Sequence, residues 1–223
     1  MFLKGEVIML KAIIFDYNGI LVDDLAYHRD AYIRVAEELG FSLNPDDIWR
    51  YISATPDQKR CLFGNISDET WQHIRTLKDA YYFEMIEKNT IIVPEAEQVL
   101  ESLRSAYELG LISNTSRVYY ENVFPKQMAA FFKWTLFSEE MDKPKPAPEP
   151  LIKMMKMLAV EPHECCYVGD AISDAQMTRR AGVRMVGVTT GHHSEQELIA
   201  AGANWVVGDL KQFVKLISEI KWT

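Results

Sequence analysis

The feature that most limits how this chain can fold is a recurrence of short, uninterrupted apolar runs, each followed by an amphipathic stretch. The runs are residues 11–16, LGLISN, WTLFS, CCYVGD, RMVGVTT and NWVVGD. A strand with one wet face would alternate apolar and polar residues. These do not alternate, so both faces must be covered, as in a parallel sheet packed between helices. The intervening segments supply those helices. In PEAEQVLESLRSAY, Pro94 suits the first turn, and Ala96, Val99, Leu100 and Leu103 fall on one face. VYYENVF and KQMAAFF read as helices interrupted at Pro125, and PEPLIKMMKMLAV as a helix whose methionines are core. SDAQMTRRAG reads as a short helix, with Ser173 and Gln176 as a capping box and Gly182 as its stop. SEQELIAAG, capped by Ser194, and LKQFVKLISEI complete the set. Right-handed crossovers then give an open, doubly wound α/β sheet, whose sites lie at the carboxyl ends of its strands.

One segment departs from this rhythm. Residues 25–88 contain no strand pattern and read as four amphipathic helices. That is too long for a loop. The expected organisation is a core domain of residues 1–24 and 89–223 with a helical cap domain, 25–88, inserted after the first strand. Trp49, Trp71 and Tyr81 are expected in the cap's own core.

The net charge of -8 excludes a general nucleic-acid binder, which needs a basic face. No apolar run approaches a bilayer-spanning length, so no membrane anchor is expected. MFLKGEVIML is too short and mixed for a secretory signal, and Met9 is a second candidate start. Three cysteines, Cys61, Cys165 and Cys166, form neither a disulfide framework nor a zinc site. They read as reduced residues of a cytoplasmic protein.

The polar residues at the strand ends carry the chemistry. The first strand ends in Asp16 and Asn18, and the second in Ser113, Asn114, Thr115 and Ser116. DKPKPAP, with Lys143 and Lys145, follows the third, and Asp170 and Asp174 follow the fourth. In a parallel sheet all of these converge on one rim. Clustered carboxylates raise one another's pKa unless positive charge sits among them, and a hard divalent cation, magnesium, fits. A lysine, a hydroxyl and the N-terminus of the helix after Ser116 suit a bound phosphate. Together these are the parts for phosphoryl transfer through an aspartyl phosphate. Asp23 and Asp24 read as solvating the hinge into the cap, and His192 and His193 as a solvated loop. His28, Arg29, Lys59 and Arg60 are cap residues that could face a substrate.

Four motifs in order make the sequence resemble the haloacid dehalogenase superfamily, in its phosphoglycolate phosphatase and β-phosphoglucomutase branch. They are FDYNGILVDD, LISNTS, DKPKPAP and VGDAISD. The resemblance spans nearly the whole chain. It implies a cap that closes over the site and excludes water. Asp16 would be the nucleophile, Ser113 would hold a phosphate oxygen with Asn114 beside it, and Asp170 would bind magnesium. Asp174 would ligate through water or from behind, and the backbone carbonyl of Asn18 would be a further ligand. Of the two lysines, the Lys-Pro-x-Pro pattern favours Lys143 as the charge on the nucleophile. The implied activity is magnesium-dependent hydrolysis of a small phosphorylated metabolite, and a phosphomutase is the related alternative. A metal-free dehalogenase is disfavoured by Asp170 and Asp174.

Asn18 departs from the pattern. The family has a second aspartate there, the general acid and base. An amide cannot exchange that proton, although a ligating backbone carbonyl is unaffected. The chain is then a slow phosphatase, one with another base, a chain engineered to trap a phosphorylated state, a deamidation product awaiting Asp, or a binder of phosphorylated metabolites without turnover. Ile20, where the family has Thr, removes one hydroxyl. Oligomeric state is left open.

Overall fold

The computed structural model describes residues 9–54, 56–87, 89, 91–220 and 222. Contacts divide it into two compact units, one drawn from Met1–Leu21 and Ile92–Thr223, the other from Val22–Ile91.

The first unit contains six strands: β1 (Ala12–Phe15), β2 (Glu108–Ile112), β3 (Trp134–Leu136), β4 (Cys165–Gly169), β5 (Arg184–Val188) and β6 (Trp205–Val207). All pair in parallel, in the order β3-β2-β1-β4-β5-β6. Ala12 faces Glu108 on one side and Cys165 on the other, so β1 is central. Its four residues are fully buried, as an unbroken apolar run demands. Phe15 packs edge-on against Phe132 and Phe213. The strand order reverses direction between β1 and β4, and in open α/β sheets ligands bind in the crevice at such a point. Asp16 and Asp170 stand on either side of it.

In the second unit, α1 (Leu25–Leu39), α2 (Pro45–Tyr51), α3 (Pro56–Arg60) and α4 (Asp68–Ile86) follow one another, with a 3-10 turn at Cys61–Phe63. Asn44 Oδ1 accepts from Asp46 N at 3.0 Å to start α2, and Ser67 Oγ accepts from Thr70 N at 3.1 Å to start α4. Leu25, Tyr32, Val35, Ile48, Phe63, Trp71 and Ile74 form its core, with Trp49 and Tyr81 packed against it. Full burial of such side chains is worth about 1.5–3 kcal/mol each.

The helices of the first unit are α5 (Ala96–Leu103), α6 (Arg117–Val123), α7 (Lys126–Ala129), α8 (Glu149–Leu158), α9 (Ile172–Ala181), α10 (Glu195–Ala201) and α11 (Leu210–Glu219). Ala96, Val99, Leu100 and Leu103 are the buried face of α5. Ser194 and Glu197 form the reciprocal cap of α10. Gly182 ends α9 in the left-handed region. The start of α9 differs from the sequence expectation. It begins at Ile172, with Ala171 as N-cap donating its N–H to Asp174 Oδ2 at 3.1 Å, so Ser173 and Gln176 are interior. Two expectations about charge also change. Asp24 is fully buried, not a solvated hinge residue, and only Asp23 is exposed. The N-terminus of α6 is already capped, because Glu139 Oε1 accepts from Arg117 N at 2.8 Å and from Ser116 Oγ at 3.1 Å.

Candidate active site

Asp16 follows β1 directly and is 6% exposed. Its Oδ1 accepts from Tyr17 N at 2.7 Å and from Lys145 Nζ at 2.8 Å. Lys145 Nζ also lies 2.7 Å from Asp174 Oδ1. Tyr167 OH sits beneath, 3.3 Å from Lys145 Nζ and 3.1 Å from Asp174 Oδ1. Burial would drive the Lys145 ammonium down, but Asp16 and Asp174 outweigh it and hold the pKa above its ordinary value. Burial, and then repulsion from Asp174, push Asp16 up to about 7 against the pull of Lys145. Burial and the other two carboxylates push Asp170 well above the usual carboxylate range.

The lysine beside Asp16 is therefore Lys145, not Lys143. Lys143 is exposed and pairs with Glu149 at 2.7 Å. Asn114 explains how Lys145 is placed. Its side chain accepts from Lys145 N and donates to Lys145 O, both at 3.0 Å. That pair of hydrogen bonds to one residue's backbone engages the Asn114 amide with protein.

Ser113 is buried, with its Oγ 3.4 Å from Asn18 Oδ1 and accepting from Thr115 N at 3.1 Å. Thr115 Oγ1 donates to Asn18 Oδ1 at 2.6 Å. Two hydroxyls thus converge on the side-chain oxygen of residue 18. Gly19 follows with φ +78°, and a Cβ there would meet Asp170 Oδ2 at 2.6 Å. Only glycine permits both that backbone and that approach.

Oxygens of Asp16, Asp170 and Asp174 lie within 4.8 Å of one another. With every group ionised, three carboxylates against one ammonium leave two negative charges. Asp170 Oδ2 is buried with no hydrogen-bond partner among the described residues. An unpaired buried carboxylate oxygen is costly, and a hard divalent cation is what such a donor set accommodates. Both Asp174 oxygens are already engaged, one by Lys145 and Tyr167 and the other by Ala171 N.

Three further contacts were not foreseen. Thr190 Oγ1 donates to Gly19 O at 2.6 Å. His193 Nδ1 lies 3.2 Å from Asp170 O. A Cβ on Gly191 would collide with Asp170 Oδ2. His192 and His193 are half-buried, so the solvated-loop expectation fails.

The profile described as haloacid dehalogenase-like hydrolase matches residues 13–188. The chain belongs to that family. Among haloacid dehalogenase-like relatives, a phosphoglycolate phosphatase of Pseudomonas putida is 28% identical, covering 90% of this chain and 77% of its own. One of Nitrosospira multiformis is 25% identical, over 94% and 96%. Solved structures agree in fold. A hydrolase from Pseudomonas syringae has a TM-score of 0.80 at 23% identity, covering 94% of this chain and 99% of that one. A β-phosphoglucomutase from Clostridium difficile has a TM-score of 0.79 at 23% identity, covering 96% and 97%. No helix among the described residues is long and apolar enough to cross a membrane.

Proposed function

We infer that this chain is a magnesium-dependent phosphatase of a small phosphorylated metabolite, acting through an aspartyl phosphate on Asp16 and slowed by Asn18. The observation that carries the reading is the Asp16–Lys145–Asp174 chain of contacts beside Asp170 Oδ2, which has no hydrogen-bond partner among the described residues. Tyr17 N and Lys145 occupy Asp16 Oδ1, which leaves Oδ2 as the attacking oxygen. In the step, an Asp16 oxygen–phosphorus bond forms as the phosphorus–alkoxide bond breaks. Lys145 favours the ionised, attacking form of Asp16 against burial and Asp174, and would offset charge on the phosphoryl oxygens. Ser113 and Thr115, whose hydroxyls lie against Asn18 Oδ1, would hold a phosphoryl oxygen or fix the Asn18 side chain. Asp16, Asp170 and the Asn18 carbonyl would hold magnesium, and Asp174 would support them by fixing Lys145 and the turn at Ala171. A bound magnesium ion supplies positive charge to the phosphoryl group and lowers the Asp16 pKa.

Asn18 supplies no proton, so the departing alkoxide and the water that cleaves the acyl phosphate both rely on solvent. General acid–base catalysis contributes ~10²–10⁴-fold. Asn18→Asp is therefore expected to raise magnesium-dependent phosphate release from alkyl phosphates by about that factor, and from p-nitrophenyl phosphate by less. Mass spectrometry first establishes that residue 18 is intact asparagine. If neither protein releases phosphate from any ester yet both bind phosphate with magnesium, the chain is a binding protein. The capture of Asn18 Oδ1 by Thr115 and Ser113 favours that second reading.

A further inference from the structure

We propose that the turn after β5, Thr190 to His193, is a positioning clamp that fixes the cation-binding face of the site. It lies outside the four motifs, yet it reaches across β4 to the loops after β1 and β4. Thr190 Oγ1 donates to Gly19 O at 2.6 Å. That bond ties the peptide plane after Gly19 to the turn. The clamp acts a second time on Asp170. His193 Nδ1 is 3.2 Å from Asp170 O, an atom that can only accept, so the ring carries its proton on Nδ1. Gly191 closes the third side, where a Cβ would overlap Asp170 Oδ2. With Gly19 pressed on the same oxygen, the carboxylate has little freedom to turn.

These contacts orient donors rather than bind anything themselves. Thr190, Gly191 and His193 are therefore positioning residues, and their effect is on cation affinity. Groups that orient metal ligands typically change affinity by ~10–100-fold when removed. The inference rests on the metal reading above, so the test separates the two.

The full chain is compared with Thr190→Val, Thr190→Ser and Gly191→Ala. In metal-free protein, hydrogen exchange is followed in the peptide spanning residues 16–22. Magnesium chloride alone is then titrated calorimetrically, without substrate. Thr190→Val is expected to speed exchange there and to weaken magnesium binding ~10–100-fold, with cooperative thermal unfolding kept. Thr190→Ser keeps the hydroxyl and is expected to behave as the parent. Gly191→Ala is expected to weaken binding at least as much as Thr190→Val. Parent-like exchange and affinity in Thr190→Val overturn the clamp, as does faster exchange with unchanged affinity. Equal losses in the Val and Ser variants overturn it too, because the hydroxyl is then irrelevant. If the parent itself binds no magnesium, the metal reading falls and the clamp with it, whatever the exchange data give.

Discussion

Each unit of the molecule buries a lysine, and the two lysines meet opposite fates. Lys145, in the sheet unit, touches Asp16 and Asp174 at 2.8 and 2.7 Å and is held above its ordinary pKa. Lys78, on α4 of the helical unit, is 5% exposed. Its Nζ lies 2.6 Å from a neutral partner, His28 Nδ1, and Asp79 is 3.8 Å away. Burial pushes Lys78 down to about 7. His28, stacked on Tyr82, falls to about 4 through burial and Lys78, against the pull of Asp24. Depth is the same and the outcome reverses, so the deciding quantity is carboxylate contact. Two direct carboxylates exceed the desolvation of an ammonium, whereas Asp79, 3.8 Å away, and Asp24, both opposed by Lys59 and Arg75, do not.

Substitution is the strongest way to break this contrast. Removing one member of a buried ion cluster costs about 3–5 kcal/mol. Lys145→Met is expected to lower urea-measured stability by about that much at pH 8 and to abolish magnesium-dependent phosphate release. At pH 5 the loss shrinks, because the orphaned carboxylates protonate. Lys143→Met should change neither stability nor turnover measurably, and a large effect there would return Lys143 to the site. Lys78→Met should move stability the other way, raising it by about 1 kcal/mol at pH 6, where the native chain must hold a charge it disfavours.

A pH series sharpens the contrast with smaller effects. Lys78 titrates near 7 folded against an ordinary 10.5, so between those values the unfolded chain binds more protons and stability rises with pH. His28, near 4 against 6.5, adds the same sign between those two values. Metal-free Asp16, near 7 against 3.8, has the opposite sign, and its contribution falls across that window and is flat above it. Hydrogen exchange should therefore show α1 and α4 gaining protection from pH 7 to 9. Protection in β1 and β4 should show no matching gain from Asp16.

Much of the fold and part of the site are legible in the amino-acid order alone. Unbroken apolar runs place the strands, and Asp16, Asp170 and Asp174 meet because parallel strands end on one rim. Lys145 is not separable from Lys143 by pattern, since KPKP and KPAP both fit Lys-Pro-x-Pro, offset by two residues. What decides is the backbone embrace of Asn114, a contact across 31 residues that leaves no periodic trace. The Thr190–His193 turn escapes notice for a similar reason. Small polar residues between a strand and a helix cap look like solvated loop, and only the fold brings Thr190 to Gly19 across 171 positions. Asp24 misleads because a carboxylate beside a second aspartate reads as wet, while one of its partners, Tyr82 at 2.7 Å, lies 58 residues on.

The placement of β1 has a consequence for how the chain is made. Ala12 must find Glu108 on one side and Cys165 on the other. At ~5–20 residues per second, the second partner leaves the ribosome roughly eight to thirty seconds after the first strand. Residues 22–91, which form a compact unit of their own, emerge inside that interval. The strand that delivers Asp16 is thus made well before the second of its two neighbours, and its four apolar residues stay uncovered on that side until then.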